Sequence, residues 1–562
     1  MKTRDIPVLI VGSGLAGLTS AVTLAWRAIP VLLVERHAGT LKHPRARSVN
    51  LRSMELLRVA GLESDLVAAG GHSFEDFTIH IAESVTGREL QTLLPRAGAR
   101  ARGEFDLSAL SPAVPSMAGQ ERIELVLRRH AEALGAELRY STELVALEQD
   151  ARGVSARIRD LTTGEESLVR AQYLIAADGH RSRMRERLGI GTHGYGTLSH
   201  NVAVVFEGDI ESLIGERRFA LYYLQNPRFT GVFVNGDDPH TAAAGIEYDP
   251  SRESTGDFDH ERALQIVRDV VGVPDFEARI LEVQTFEFAS QVADQLARGR
   301  VFLAGDAAHT MPPTGGLGGQ TAIQDAYDLA WKLAFVLRGD AGPALLDTYA
   351  AERQPVAEMT VARQLANYVE RMRPDRAEVA RHVLESSGSP IPDYMSVAFG
   401  YRYRSAAILT EAPDDGAPAE SPFVPSARPG TRAPHLPLLH RGARISSLDL
   451  MGRKMVLLCG PGASAWARAG MAVASPAAAP LITYRLGADL IDVERRWQSA
   501  FGVGDSGAVL LRPDGFVAWR SQGEVSSPTD VLTEILARVL CRTPESLRRP
   551  VAWGGGAHEA AA

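Results

Sequence analysis

Ile6-Pro7-Val8-Leu9-Ile10-Val11-Gly12-Ser13-Gly14-Leu15-Ala16-Gly17 is an apolar run that breaks into three spaced glycines. The run predicts a buried strand, and the leucine- and alanine-rich stretch behind it predicts a helix. In a strand–turn–helix unit of this spacing one glycine makes the tight turn and one lets backbone approach a pyrophosphate. The third lets the helix pack on the strand. The next apolar run, Val31 to Val34, closes on Glu35, a carboxylate placed to accept hydrogen bonds from a ribose diol. Gly12, Gly14, Gly17 and Glu35 therefore read as a dinucleotide site whose phosphates rest on a helix N-terminus. The fold class that follows is α/β, with a Rossmann-like domain first.

Working outward, 562 residues are enough for several domains, and 45% hydrophobic residues is the share of a globular protein. A net charge of −8, with no long basic stretch carrying interleaved aromatics, argues against nucleic acid as a partner. Two cysteines, Cys459 and Cys541, leave no disulfide framework and no cysteine-rich metal site, so no metal is expected. The first apolar run is too short and too glycine-broken for a signal sequence or a membrane span. The expectation is a cytoplasmic protein without a membrane partner.

A second signal is Tyr173-Leu174-Ile175-Ala176-Ala177-Asp178-Gly179, a strand ending in Asp-Gly and followed by basic residues. By itself Asp-Gly marks a turn. A third is Val301-Phe302-Leu303-Ala304-Gly305-Asp306, followed by the loop Met311-Pro312-Pro313-Thr314-Gly315-Gly316-Leu317-Gly318-Gly319-Gln320. So many glycines let backbone lie against a flat ligand. Thr321 and Gln324 have capping-box spacing, and apolar residues from Ile323 to Leu337 recur at helical intervals before Gly339, so a helix is predicted from near Thr321. Its N-terminus would stabilise negative charge on a ring system in front of it.

Gly12-x-Gly14-x-x-Gly17, Asp178-Gly179 with Ser182 and Arg185, and Gly305-Asp306 occur in the order found in class A flavoprotein monooxygenases, and the chain resembles that family. Pro44-Arg45-Ala46, Met54-Glu55-Leu56-Leu57, the loop Pro312 to Gln320 and Gly400-Tyr401-Arg402-Tyr403-Arg404-Ser405 are similar to its aromatic-polyketide hydroxylases. The resemblance spans essentially the whole chain and is weakest from Thr192 to Gln284 and at the tails. It implies FAD as cofactor, NADPH or NADH as reductant and O2 as co-substrate. A C4a-hydroperoxyflavin would pass one oxygen atom to a phenolic, polycyclic, polyketide-type substrate. Baeyer–Villiger insertion on a similar substrate, and a flavin-binding scaffold without turnover, are the alternatives. The resemblance assigns Glu35 to the adenosine ribose, Asp306 to the ribityl chain, Arg36 and Arg45 to the cofactor's surroundings, and Gln120 to a helix start beside the ribityl chain. It associates Asp178 with FAD and NAD(P)H together, and Gly316, Gly319 and Gln320 with the flavin. The chemistry is carried by the cofactor, with backbone of Pro313 and Gly316 beside it and no side chain named as catalytic. Gln320 stands where the family usually has asparagine.

From Thr192 to Gln284 the chain reads as alternating strands rich in β-branched and aromatic residues, with Tyr222, Tyr223 and Phe233 as candidate substrate contacts. The domain expectation is a first FAD-binding part over 1–191, a substrate-binding sheet over 192–284 and a second FAD-binding part with helices over 285–409. A linker over 410–432, a thioredoxin-like domain over 433–550 and a disordered tail over 551–562 follow. Cys459-Gly460-Pro461-Gly462 lacks the second cysteine of a redox pair, so that domain is expected to be structural. A monomer or homodimer is expected.

Overall fold

The computed structural model describes residues 3–40, 46–71, 74–95, 107–215, 219–235, 238–378, 381, 390–474 and 479–547. Arg45 and the expected tail 551–562 lie outside them. The chain forms two compact units, Met1–Tyr327 with Arg353–Phe399, and Asp328–Glu352 with Gly400–Ala562. Among the described residues no helix is long and apolar enough to cross a membrane.

The first unit holds two eight-stranded sheets. In one, Thr3–Val11 lies between Val31–Val34 and Glu166–Ala176, with Glu137–Arg139 and Val301–Leu303 outside them, all five parallel. Val31–Val34 is buried throughout, as strands covered on both faces must be. The strand order reverses beside Thr3–Val11, so the crevice past its carboxyl end is where a ligand of such a sheet binds.

The second sheet runs His309–Thr310, Ala278–Ala293, Thr192–Gly208, Thr241–Tyr248, Phe229–Asn235, Phe219–Asn226, Phe77–Ala82, Glu89–Leu94. It is larger than the 192–284 segment. Phe219–Asn226 pairs in parallel with Phe77–Ala82, a partner some 140 residues earlier that local periodicity has no means to reveal. One face packs on helix His260–Val271 through Val204, Phe206, Ile266 and Val270. The opposite face carries Leu198 and Phe288 against Leu365 and Tyr368 of helix Asp347–Arg371.

In the second unit, strands Leu481–Arg485, Met455–Cys459, Ala508–Leu511 and Val517–Ser521 form a sheet in that order, the first pair parallel and the others antiparallel. Helices Ser464–Val473 and Pro528–Val539 complete a thioredoxin-like arrangement. Cys459 is fully buried, and burial together with Asp489 pushes its thiol up to about 12. That thiol is inert at neutral pH. Residues 410–432 contain no helix or strand, yet they are packed. Gly430 N donates to Val517 O (2.8 Å), Val517 N donates to Thr431 O (3.0 Å), and Ala427 and Thr431 are buried. Proline there breaks regular structure without freeing the backbone.

The same unit buries a charge cluster. Lys332 Nζ donates to Asp328 Oδ2 and Glu352 Oε2, both at 2.7 Å, and Arg512 bonds Glu352 (2.5 Å), Asp514 (2.5 Å) and Asp328 (3.4 Å). Three carboxylates thus face two cations. Burial, with repulsion from Glu352 and Asp514 that Lys332 and Arg512 only partly offset, raises Asp328 to about 7. One proton on Asp328 makes the cluster neutral.

Candidate active site

At Gly12 (φ +105°) a Cβ would lie 2.2 Å from Ala177 O, and at Gly17 it would lie 1.9 Å from Gly12 O. Turn, neighbouring strand and helix therefore close on one another without room for a side chain. Gly14 is different, because a Cβ there would meet nothing within 4 Å. It is the N-cap of helix Leu15–Trp26 and offers no side-chain cap bond, so N–H groups of the first turn remain for a ligand. Glu35 is drawn onto this loop. Ser13 N donates to its Oε2 (2.8 Å) and His37 N to its Oε1 (2.9 Å). Arg36 beside it is exposed.

The third motif meets the first. A Cβ at Gly305 would lie 3.0 Å from Ala16 Cβ and 3.1 Å from Ala322 Cβ, and one at Gly319 would lie 2.9 Å from Leu15 Cδ1 and 3.2 Å from Ala46 Cβ. The helix Gly318–Arg338 begins three residues before the predicted start. Thr321 lies inside it and turns its hydroxyl back to Leu317 O (2.8 Å), so the Thr321–Gln324 pair is not a cap. Asp306 is exposed on the turn Gly305–Ala307. Beneath that turn Asp325 accepts from Gly305 N (3.2 Å), bonds His309 Nε2 (2.7 Å) and accepts from Arg353 Nε (2.8 Å). Burial alone would raise its carboxyl; Arg353 and His309 outweigh that and hold it below the ordinary range.

Asp178 is occupied locally, accepting from Ser182 Oγ (2.6 Å) and Met184 N (3.1 Å). Arg185 Nη1 donates to Ala307 O (3.0 Å), so the Asp178 motif braces the turn that presents Asp306. Gln320 directs both ends of its amide, and Gln120 its Oε1, to the backbone of residues 46–50, while Gln120 Nε2 donates to Glu124 Oε1 (2.8 Å).

The glycine loop is latched from the other side. Thr314 Oγ1 donates to Gln364 O (2.8 Å), Arg371 Nη1 to Thr314 O (2.6 Å), Tyr394 OH to Gly315 O (3.1 Å), and Gly315 N to Pro313 O (2.9 Å). Gly316, at φ +67°, has nothing within 4 Å of a Cβ position. The guanidinium of Arg371 lies 5.7 Å from the centroid of the Tyr223 ring, and its Nε is buried without a hydrogen-bond partner. Burial raises the Tyr223 hydroxyl and pushes Tyr394 up to about 12, in each case against the pull of Arg371.

The candidate substrate contacts separate. Tyr222 and Phe233 are cross-strand partners in the core beneath helix His260–Val271, on the closed face of the sheet, so they serve as core. Tyr223, one residue on, points to the opposite face with Leu365, Tyr368 and Phe288. Asp325, Arg353, Arg371 and Tyr394 were not singled out from sequence. Each is a polar residue in a helical stretch without a motif around it, and the available signal was a charge within a largely apolar helix, as at Asp325.

Open faces at Gly14 and Gly316, an unfilled helix start and an exposed Asp306 suit an elongated ligand with phosphate, polyol and ring parts. Residues 5–364 match the FAD binding domain family, and residues 426–543 match the family described as aromatic-ring hydroxylase, C-terminal. The chain belongs to the FAD-dependent aromatic-ring hydroxylases. An aklavinone 12-hydroxylase of Streptomyces purpurascens is 40% identical over 554 residues, covering 96% of this chain and 100% of that one. A 4-methyl-5-nitrocatechol 5-monooxygenase of a Burkholderia species is 40% identical over 550 residues, with 96% and 98% covered. The crystal structure of aklavinone-11 hydroxylase in a ternary complex with FAD and aklavinone superposes with a TM-score of 0.90 at 39% identity, over 96% of this chain and 100% of that one. This hydroxylase is thus an enzyme of the FAD-binding monooxygenase class, and the resemblance read from its motifs holds.

Proposed function

We propose that this hydroxylase uses NADH or NADPH and O2 to place one hydroxyl group on a phenolic, polycyclic, polyketide-type ring. The observation that carries the reading is Arg371, a half-buried cation whose buried Nε–H has no partner, set between Tyr223 and the glycine loop. When bound, the flavin supplies hydride acceptance from the nicotinamide and activation of O2. Gly14 and the turn after it would receive the pyrophosphate, Glu35 a ribose, Asp306 the ribityl hydroxyls, and the backbone from Pro313 to Gly319 the ring.

The remaining work falls to this chain's side chains. An aromatic ring accepts electrophilic oxygen faster when its phenol has ionised. A half-buried positive charge with a free donor lowers the pKa of a phenol beside it. With their own hydroxyls raised, Tyr223 and Tyr394 stay protonated at neutral pH and act as donors and walls rather than bases. Leu198, Phe288 and Leu365 supply apolar surface that keeps water away. Ionising the phenol assists ring hydroxylation, whereas Baeyer–Villiger insertion attacks a neutral carbonyl and gains nothing from a phenolate. Among the relatives, an aklavinone 12-hydroxylase and a 4-methyl-5-nitrocatechol 5-monooxygenase support oxygenation of an aromatic ring.

The test compares a polycyclic phenol with its O-methyl ether, using FAD-loaded enzyme and either nicotinamide. Oxygenated product from the phenol, with at least about tenfold less from the ether, is expected. Equal product from both would remove the phenolate step from the reading.

A further inference from the structure

Residues 46–50 form a short strap across the start of the glycine-loop helix. Gln120 holds Ala46 by both backbone groups, its N–H donating to Ala46 O (2.8 Å) and its Oε1 accepting from Ala46 N (3.3 Å). Val49 exchanges backbone bonds with Ser116, Val49 N to Ser116 O at 2.8 Å and Ser116 N to Val49 O at 3.0 Å. Gln320 completes the arrangement. Its Nε2 donates to Ser48 O (2.7 Å) and its Oε1 accepts from Asn50 N (3.0 Å). The Gln320 side chain is buried, with the residue only 2% exposed.

Each end of the Gln320 amide therefore bonds the protein's own backbone, and these two bonds fix its orientation toward the strap. An asparagine at this position would be shorter by one methylene, about 1.5 Å, and would not span both Ser48 O and Asn50 N from the same helix position. The strap matters to the site because Ala46 packs at Gly319, where a Cβ would lie 3.2 Å from Ala46 Cβ. Asn50 in turn caps helix Leu51–Arg58 by accepting from Ser53 N (2.9 Å), so strap and helix are fixed together.

We propose that Gln320 is a positioning residue that pins the Ala46–Asn50 strap against the start of the glycine-loop helix, and does not contact the flavin ring. The extra methylene is what gives it that reach. The inference rests on the FAD site described above, but its test reads the strap itself and so fails separately from the substrate reading.

The experiment uses FAD-loaded wild type, Gln320→Asn and Gln320→Glu, with hydrogen exchange of peptides covering 46–50, FAD dissociation on dilution, and the flavin midpoint potential. In Gln320→Asn, exchange over the strap and FAD dissociation should each rise about tenfold, the size expected for losing one or two hydrogen bonds. The midpoint potential should stay at the wild-type value. Gln320→Glu keeps an acceptor for Asn50 N but sets a carboxylate oxygen against Ser48 O, so its exchange should rise at least as far as in Gln320→Asn. It also keeps the proposal testable if Gln320→Asn does not fold. Unchanged strap exchange in the variants, or a shifted potential with the strap still protected, would overturn the proposal and return the amide to the ring.

Discussion

Gly14 and Gly12 sit two residues apart and are glycine for different physical reasons. A side chain at Gly12 would strike Ala177 O in a backbone conformation, φ +105°, that disfavours one anyway, whereas at Gly14 it would meet no protein atom. Gly14→Ala should therefore fold with an unchanged melting temperature and lose FAD affinity, while Gly12→Ala should lose stability itself. Thermal unfolding and flavin titration on the two variants check this. Asp306 allows a second comparison. Being exposed, it supports no packing, so Asp306→Ala should weaken FAD binding by about ten- to a hundredfold, the worth of a hydrogen bond to a charged group, without a stability loss. His309→Ala should instead destabilise the protein by removing a partner of buried Asp325. Equal flavin occupancy in wild type and Asp306→Ala would defeat the assignment. The glycine turns were legible because a tight turn and close backbone packing demand glycine at fixed spacing. Asp325 was not, because its partners His309 and Arg353 lie 16 and 28 residues away and no local rule joins them.

Helix Asp347–Arg371 brings Gln364 and Arg371 to the glycine loop, and strand Phe219–Asn226 brings Tyr223 to the same place. If Arg371 sets the acidity of the substrate phenol, Arg371→Gln removes a positive charge and the phenol's pKa rises. The rising limb of the kcat/KM–pH profile should then move to higher pH, with activity at pH 7 down by about a hundredfold and recovering as pH increases. A uniform loss at every pH would show that the residue only supports the loop. The elements themselves were readable in kind, since period-two and helical patterns depend on burial alone. Their facing was harder. Tyr222 and Tyr223 are equivalent as residues, and only the register Tyr222↔Phe233 and the position of helix His260–Val271 decide which one meets the core. The helix start at Gly318 was masked by glycines, which ordinarily argue against a helix.

For the molecule as a whole, the order of the three motifs carried the architecture, because it requires one parallel sheet to gather distant strand ends at one crevice. The second sheet's use of residues 77–94 and the packing of residues 410–432 were beyond sequence reading, since both depend on long-range backbone pairing. So was the cluster of Asp328, Lys332, Glu352, Arg512 and Asp514, drawn from three separate parts of the chain. It has a pH signature. Asp328 is raised from 3.8 to about 7, so the folded protein holds a proton that the unfolded chain releases. That contribution is complete near pH 4 and is lost as pH rises to about 7. Glu352, held at about 2 chiefly by Arg512 and Lys332 against its burial, acts oppositely and only at pH below its ordinary value. Wild type should thus lose stability between about pH 4 and 7 relative to Asp328→Asn, which mimics the protonated form and should show a flatter curve in urea unfolding. Parallel curves would assign the proton elsewhere. The central claim, oxygen transfer from O2 to a phenolic polycyclic ring, is tested most directly by reacting FAD-loaded enzyme, NADPH or NADH and a polycyclic phenol under 18O2, and determining the product by mass and NMR connectivity. One 18O atom in a new ring hydroxyl is the expected result; a product with 18O inserted into the ring, or no labelled product while nicotinamide is consumed with every such phenol, would contradict it.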